Sequence, residues 1–139
     1  MKKTLFLLSF LVLLSGSISA KEKPKKSNVE ELAKTTLSWD GNKLPSYAKG
    51  TPEITILKIT IEPHQKLALH THPAINAGVL LTGELTVITE NEDVLNLKAG
   101  EALVEVVNTW HYGINKGDEP AEIIVFYAGV EGEPITIKK

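Results

Sequence analysis

The sequence contains no cysteine. That absence excludes disulfides, thiolate nucleophiles, cysteine-ligated metals and a lipid-modified cysteine, whatever the redox state of the compartment. Glycine-rich phosphate-binding patterns are missing as well, which sets nucleotide-binding folds aside. Nothing resembling a nucleophile elbow precedes a helix, and no two acids are tied together by predictable geometry. Neither an acyl-transfer triad nor a glycosidase carboxylate pair can therefore be argued. Excess positive charge is lacking too, with 15 Lys+Arg against 17 Asp+Glu. Any metal chemistry falls to His, Asp, Glu and Asn.

Long apolar runs are scarce. The one example is Leu5–Leu14, preceded by Lys2 and Lys3 and followed by the small, mostly polar Ser15–Ala20. A run this short falls below the roughly 20 residues that span a bilayer. The layout is that of a secretory signal over residues 1–20, cut after Ala20, with a periplasmic or secreted mature chain and no membrane segment left in it. Without that signal the net charge is −4, with 13 basic and 17 acidic side chains. Such a chain has no electrostatic basis for binding nucleic acid or anionic lipid.

The remaining length suits one domain. Residues 21–49 are expected to form a linker, a short helix and an extended arm. Lys21–Lys26 is a solvated lead-in. Ser27 or Asn28 is placed to cap a helix that aligns Val29, Leu32, Ala33 and Thr36, with Glu30 and Glu31 in its first turn. Trp39-Asp40-Gly41-Asn42 is a turn, and Leu44–Tyr47 is extended.

From residue 50 to 139 the pattern is β. Strands are predicted at Ile54–Ile61, Leu67–His72, Ala77–Leu81, Leu85–Thr89, Val94–Leu97, Ala102–Val107 and Ala121–Tyr127, with Ile135–Ile137 as a short edge strand. The breaks between them are turn-like, as at Thr82-Gly83-Glu84 and Lys98-Ala99-Gly100. In Ile54–Ile61 the apolar parity changes after Ile56, which implies a bulge or a strand covered on both faces. Ile123–Tyr127 is continuously apolar, and a homodimer interface would cover its second face. Short strands at this spacing imply an all-β antiparallel barrel or sandwich.

The chemistry concentrates at His70-Thr71-His72-Pro73. In a strand, residues i and i+2 share a face about 6.6 Å apart, so both imidazoles can reach one divalent ion. A pair holds a metal poorly, and His111 in Asn108-Thr109-Trp110-His111-Tyr112 is the candidate third ligand. Trp110 and Tyr112 point to the opposite face from His111 if the segment is extended, as packing or dimer contacts. Glu105, six residues before His111, is a weak candidate for a general base. Glu101 reads as a turn residue.

The span from His64 to Asn115 resembles the two motifs of the small single-domain cupins. His70 and His72 match the first motif's His-x-His, and Gly83 stands at its closing glycine. Gly100, His111 and Asn115 match the second motif, and Asn115-Lys116-Gly117-Asp118-Glu119-Pro120 is a typical continuation. The departures are informative. Asn76 stands where the family has its glutamate ligand, His64 replaces the first motif glycine, Val106 replaces a proline and Asn108 an inner glycine. Asn and His tolerate positive φ better than most residues, so the lost turn glycines are bearable.

The resemblance implies a jelly-roll cupin barrel, dimeric, with a divalent cofactor (Fe, Mn, Ni, Zn or Cu) held by His70, His72 and His111, and Asn76 as a weak ligand or a hydrogen-bonding neighbour. His64 is expected in a turn and not at the ion. The partner is a small molecule. Three functions remain open: a metalloenzyme of dioxygenase or Lewis-acid isomerase or lyase type, a non-catalytic metal- or small-ligand-binding module, and a structural domain with inherited histidines.

Overall fold

The computed structural model describes residues 26–139. The signal expected over residues 1–20 and most of the lysine-rich lead-in lie outside the described residues. Among the described residues nine strands follow one another: β1 (Pro52–Ile61), β2 (His70–Thr71), β3 (Ile75–Thr82), β4 (Glu84–Thr89), β5 (Val94–Lys98), β6 (Ala102–Val104), β7 (His111–Ile114), β8 (Ala121–Val130) and β9 (Ile137–Lys138). They form two antiparallel sheets, ordered β1-β8-β3-β6 and β5-β4-β7-β2-β9. This is a jelly roll whose sheets close over one core. Ile61, Leu80, Leu103, Ile123 and Val125 fill it from the first sheet, and Leu85, Val87 and Leu97 from the second.

The helix expected after Asn28 does not form. Residues 26–35 carry no regular structure, and Val29 and Leu32 remain 89% and 51% exposed. A helix of about ten residues needs tertiary packing of its apolar face to hold it, and no such packing is present here. The arm gains order only at residue 37. Leu37 bridges to Lys43, and Ser38 and Asn42 close the expected turn through a 2.9 Å backbone bond. Gly41 takes φ 87° at its tip. Asp40 organises the turn by accepting from Ser38 Oγ at 2.6 Å and Asn42 Nδ2 at 2.6 Å. Burial opposes ionisation of this carboxyl, but these bonds outweigh it and hold the pKa below the ordinary carboxylate value. The turn docks through Trp39 N, which donates to Val104 O at 2.9 Å at the end of β6.

The parity change in β1 is not a bulge. Its register with β8 is unbroken from Pro52↔Val130 to Ile61↔Ala121. Leu57, Ile59 and Ile61 share the inner face, while Ile54 and Ile56 sit on the outer face beside their partners Ala128 and Phe126. Ile54, Ile56 and Phe126 are all exposed there.

Three other boundaries differ from the sequence pattern for local reasons. The strand expected over residues 67–72 pairs with β7 at Lys66, Leu67 and His70, and leaves the ladder between them. There Ala68 O accepts a bond from His70 Nδ1. β6 ends at Val104, although Glu105 N still donates to Asn76 O at 3.0 Å, and past that point Val106 N is taken by the Glu105 side chain at 2.9 Å. β7 was not foreseen as a strand. Its Gly113 interrupts the apolar pattern, and the position is closely packed: a Cβ there would stand 3.3 Å from Leu85 Cδ1 and 3.4 Å from Leu67 Cδ1.

Candidate metal centre

Neighbouring strands β2 and β7 of the five-stranded sheet, with the segment that follows β2, bring His70, His72 and His111 together. His70 and His111 are direct cross-strand partners of β2 and β7. Their ring centroids lie 4.5 Å apart, with His72 at 4.9 Å from His70 and 5.1 Å from His111. One ring nitrogen from each of the three lies within 4.8 Å of the others.

Each ring is oriented by a backbone carbonyl. His70 Nδ1 bonds Ala68 O at 2.7 Å, His72 Nδ1 bonds Ile135 O at 2.8 Å, and His111 Nδ1 bonds Thr109 O at 2.8 Å. A carbonyl only accepts, so all three Nδ1 atoms carry the proton and all three Nε2 atoms present lone pairs. This is the arrangement that prepares imidazoles for a cation. Burial favours the neutral form of His70 and His72. It lowers the His70 pKa, against the Ala68 bond that favours the charged form, and it lowers His72 to about 4, against the Ile135 bond. His111 Nε2 is fully buried and has no hydrogen-bond partner among the described residues. An orphaned buried acceptor is costly, and a divalent ion bound there would satisfy it. The residues fit a metal.

A cavity of about 60 Å³ opens beside the triad. Its polar lining consists of the three histidines, Asn76, Glu105 and Tyr127, and the rest is aliphatic. Asn76 is buried, and its Nδ2 donates to Ala74 O at 3.3 Å. Glu105 faces the triad, with Oε2 at 3.7 Å from His111 Nε2, and its other oxygen accepts from Trp39 Nε1 at 2.7 Å.

Other candidate residues lie away from the centre. His64 occupies an exposed turn with φ 61°, beside Asp118 at 3.3 Å. Asn108 takes φ 57°. Both substituted glycine positions thus keep the left-handed conformation. Glu101 is a turn residue that accepts from Lys98 N at 2.8 Å. Trp110 and Tyr112 lie outside the cavity, each with a lysine over its ring, Lys139 and Lys66 respectively.

A profile of the cupin domain matches residues 57–127. The chain belongs to the cupin family. A cupin-like protein from Thermotoga maritima MSB8 superposes with a TM-score of 0.56 at 19% identity, over 62% of this chain and 64% of its own. A conserved protein with a double-stranded β-helix domain from Klebsiella pneumoniae gives 0.55 at 21%, over 81% and 97%. Oxalate oxidase in complex with the substrate analogue glycolate gives 0.52 at 22%, over 61% and 45%. This cupin therefore spans under two thirds of the Thermotoga protein and less than half of the oxidase. Identities this low speak for the fold alone. No curated protein matches the sequence.

Two contributors to this cupin's site went unnoticed in the sequence. Tyr127 lies on the inner face of β8, its ring centroid 5.2 Å from that of His72. Burial first, and the Glu105 carboxylate second, push its pKa up to about 12, so it is a neutral phenol at physiological pH. The alternation Ile123, Val125, Tyr127 was a signal for it once the inner face of β8 was known. Trp39 comes from the arm that precedes the family-matched segment. An indole in an otherwise polar turn needs an acceptor when it is buried, and that was its only signal.

Proposed function

We propose that this cupin is a metalloenzyme acting on a small oxygen-bearing substrate, with a divalent ion held by His70, His72 and His111. The observation that carries this reading is the common orientation of the three imidazoles, each with Nδ1–H on a backbone carbonyl and Nε2 turned inward. When bound, the ion supplies a Lewis acid with coordination positions open to a substrate oxygen. The protein supplies the rest. The cavity holds on the order of four waters, which limits the reacting group to a few heavy atoms. Its aliphatic walls exclude bulk solvent, and Tyr127, a neutral phenol, lines the same cavity as the three histidines. A neutral donor beside the histidines favours Lewis-acid chemistry with proton transfer, of isomerase or lyase type, over dioxygenation.

The test is incubation of the metal-loaded mature protein with a panel of small hydroxy acids, oxo acids and sugars, followed by NMR, with dissolved oxygen recorded in parallel. Turnover without oxygen uptake, reduced at least tenfold in Tyr127→Phe, supports the reading. Oxygen uptake coupled to turnover selects the dioxygenase. Tight ligand binding without turnover selects a binding module.

We propose in addition a periplasmic or secreted chain, on the signal layout of residues 1–20, and a homodimer through the outer face of the β1-β8-β3-β6 sheet. The apolar cluster of Ile54, Ile56 and Phe126 on that face supports the dimer. Sedimentation of wild type and Phe126→Asp tests it, with a dimer becoming a monomer as the expected change.

A further inference from the structure

Where the cupin motif has its glutamate, this chain has the neutral Asn76, yet a carboxylate reaches the same cavity from the adjacent segment. Glu105 N donates to Asn76 O at 3.0 Å, so the two residues are neighbours across the sheet. The Glu105 side chain lines the cavity, and the residue is 7% exposed. Its two oxygens differ. Oε1 accepts from Trp39 Nε1 at 2.7 Å and from Val106 N at 2.9 Å, which engages both of its lone-pair directions. Oε2 accepts no hydrogen bond among the described residues and lies 3.7 Å from His111 Nε2.

That short approach sets two acceptors against each other. His111 Nδ1 carries its proton to Thr109 O, so Nε2 offers a lone pair, and the facing carboxylate oxygen offers another. Both groups are buried, and their repulsion is relieved by a cation between them. Two donors on one ion at about 2.1 Å stand about 3.0 Å apart at a right angle and about 3.4 Å apart at the tetrahedral angle. The observed 3.7 Å lies a few tenths of an ångström beyond that, within the reach of a small side-chain rotation that leaves Oε1 on Trp39.

We propose that Glu105 is the fourth, anionic ligand of the ion, supplied from the neighbouring segment in place of the carboxylate missing at Asn76, and that Trp39 is its positioning residue. The proposal rests on the three-histidine reading above. It makes the site one carboxylate and three imidazoles, and leaves a divalent ion with a formal charge of +1. It also makes the N-terminal arm part of the metal centre, since Trp39 is delivered by the 37–43 turn and anchored through Trp39 N on Val104 O.

The experiment is titration of the metal-free mature protein with Co2+, read by affinity and by visible spectrum. Glu105→Gln keeps the size and an acceptor for Trp39 but removes the charge. It is expected to weaken Co2+ binding about 10–100-fold and to change the ligand-field bands. Trp39→Phe is expected to weaken binding about tenfold in the wild-type background and not at all in the Glu105→Gln background. Asn76→Glu added to Glu105→Gln should restore most of the affinity, because it returns a carboxylate to the cavity. If Glu105→Gln retains the affinity and spectrum of wild type, or if Trp39→Phe weakens both backgrounds equally, the assignment is overturned. A wild type that binds no Co2+ overturns the three-histidine reading and this one together. A second measurement needs no variant. The infrared difference between Zn2+-loaded and metal-free wild type should show a shifted carboxylate stretch, and a spectrum with imidazole changes alone overturns the proposal.

Discussion

His72 and Ile135 are 63 residues apart in the chain, and the imidazole Nδ1 of one meets the carbonyl of the other at 2.8 Å. The Thr136 hydroxyl lies 3.1 Å from the same nitrogen. The C-terminal tail beyond the family-matched segment thus sets the tautomer of a candidate metal ligand. Lys139 N and the β9 pairing to β2 hold the tail in place.

Removal of residues 134–139 is therefore expected to weaken metal binding about 10–100-fold, the range for loss of a bond that orients a ligand imidazole. Thr136→Val leaves the Ile135 carbonyl in place and should change affinity by less than about threefold. Calorimetric titration of both variants with Zn2+ checks the pair. Equal losses would mean that the hydroxyl, and not the carbonyl, fixes the ring.

A second prediction concerns the metal-free protein in acid. The folded His72 has a pKa of about 4 against an ordinary 6.5, so below pH 6.5 the unfolded chain binds the extra proton and the folded chain resists it. The His72 contribution should be constant above pH 6.5 and fall by about 3 kcal/mol as pH drops to about 4. His70, also lowered, acts in the same direction. Tyr127 is raised to about 12, so stability should also decline between pH 10 and 12. Urea unfolding of chelator-treated protein across this range measures both limbs. A profile unchanged between pH 6.5 and 4.5 would show that His72 is not buried as described.

A third prediction follows from the left-handed residue in the loop before β7. Asn108 has φ 57°, and its N–H donates to His72 O at 2.9 Å, tying the loop to the ligand pair. Asn108→Ala should cost about 1 kcal/mol of stability, because a Cβ residue without a local polar partner is strained there. Asn108→Gly should stay close to wild type. Denaturant midpoints distinguish the two, and an alanine variant as stable as the glycine one would contradict the strain argument.

These relationships show what was readable in the chain beforehand. The histidine triad was legible because His-x-His in an extended segment shares a face by geometry, and the motif spacing added His111. The turns were legible because Gly41, Gly83 and Gly100 mark them, and all three have positive φ. The helix after Asn28 was misread because its apolar face finds nothing to pack against, which local periodicity does not reveal. β7 escaped notice because four residues with a central Gly113 carry little pattern. Trp39 and Tyr127 carried only faint local signals and the tail carbonyl none, because each reaches the site only through long-range pairing. The role of Asn76 was framed by its own position, while the carboxylate sits one segment away on Glu105.

The most direct test is metal analysis of untagged protein spanning residues 21–139 beside its His111→Ala variant, each purified without added metal and then loaded with Zn2+ and dialysed. The account predicts close to one ion per chain for wild type and a large loss for His111→Ala, because two imidazoles hold an ion poorly. Equal, sub-stoichiometric metal in both proteins would contradict it and leave the three histidines as buried structural residues.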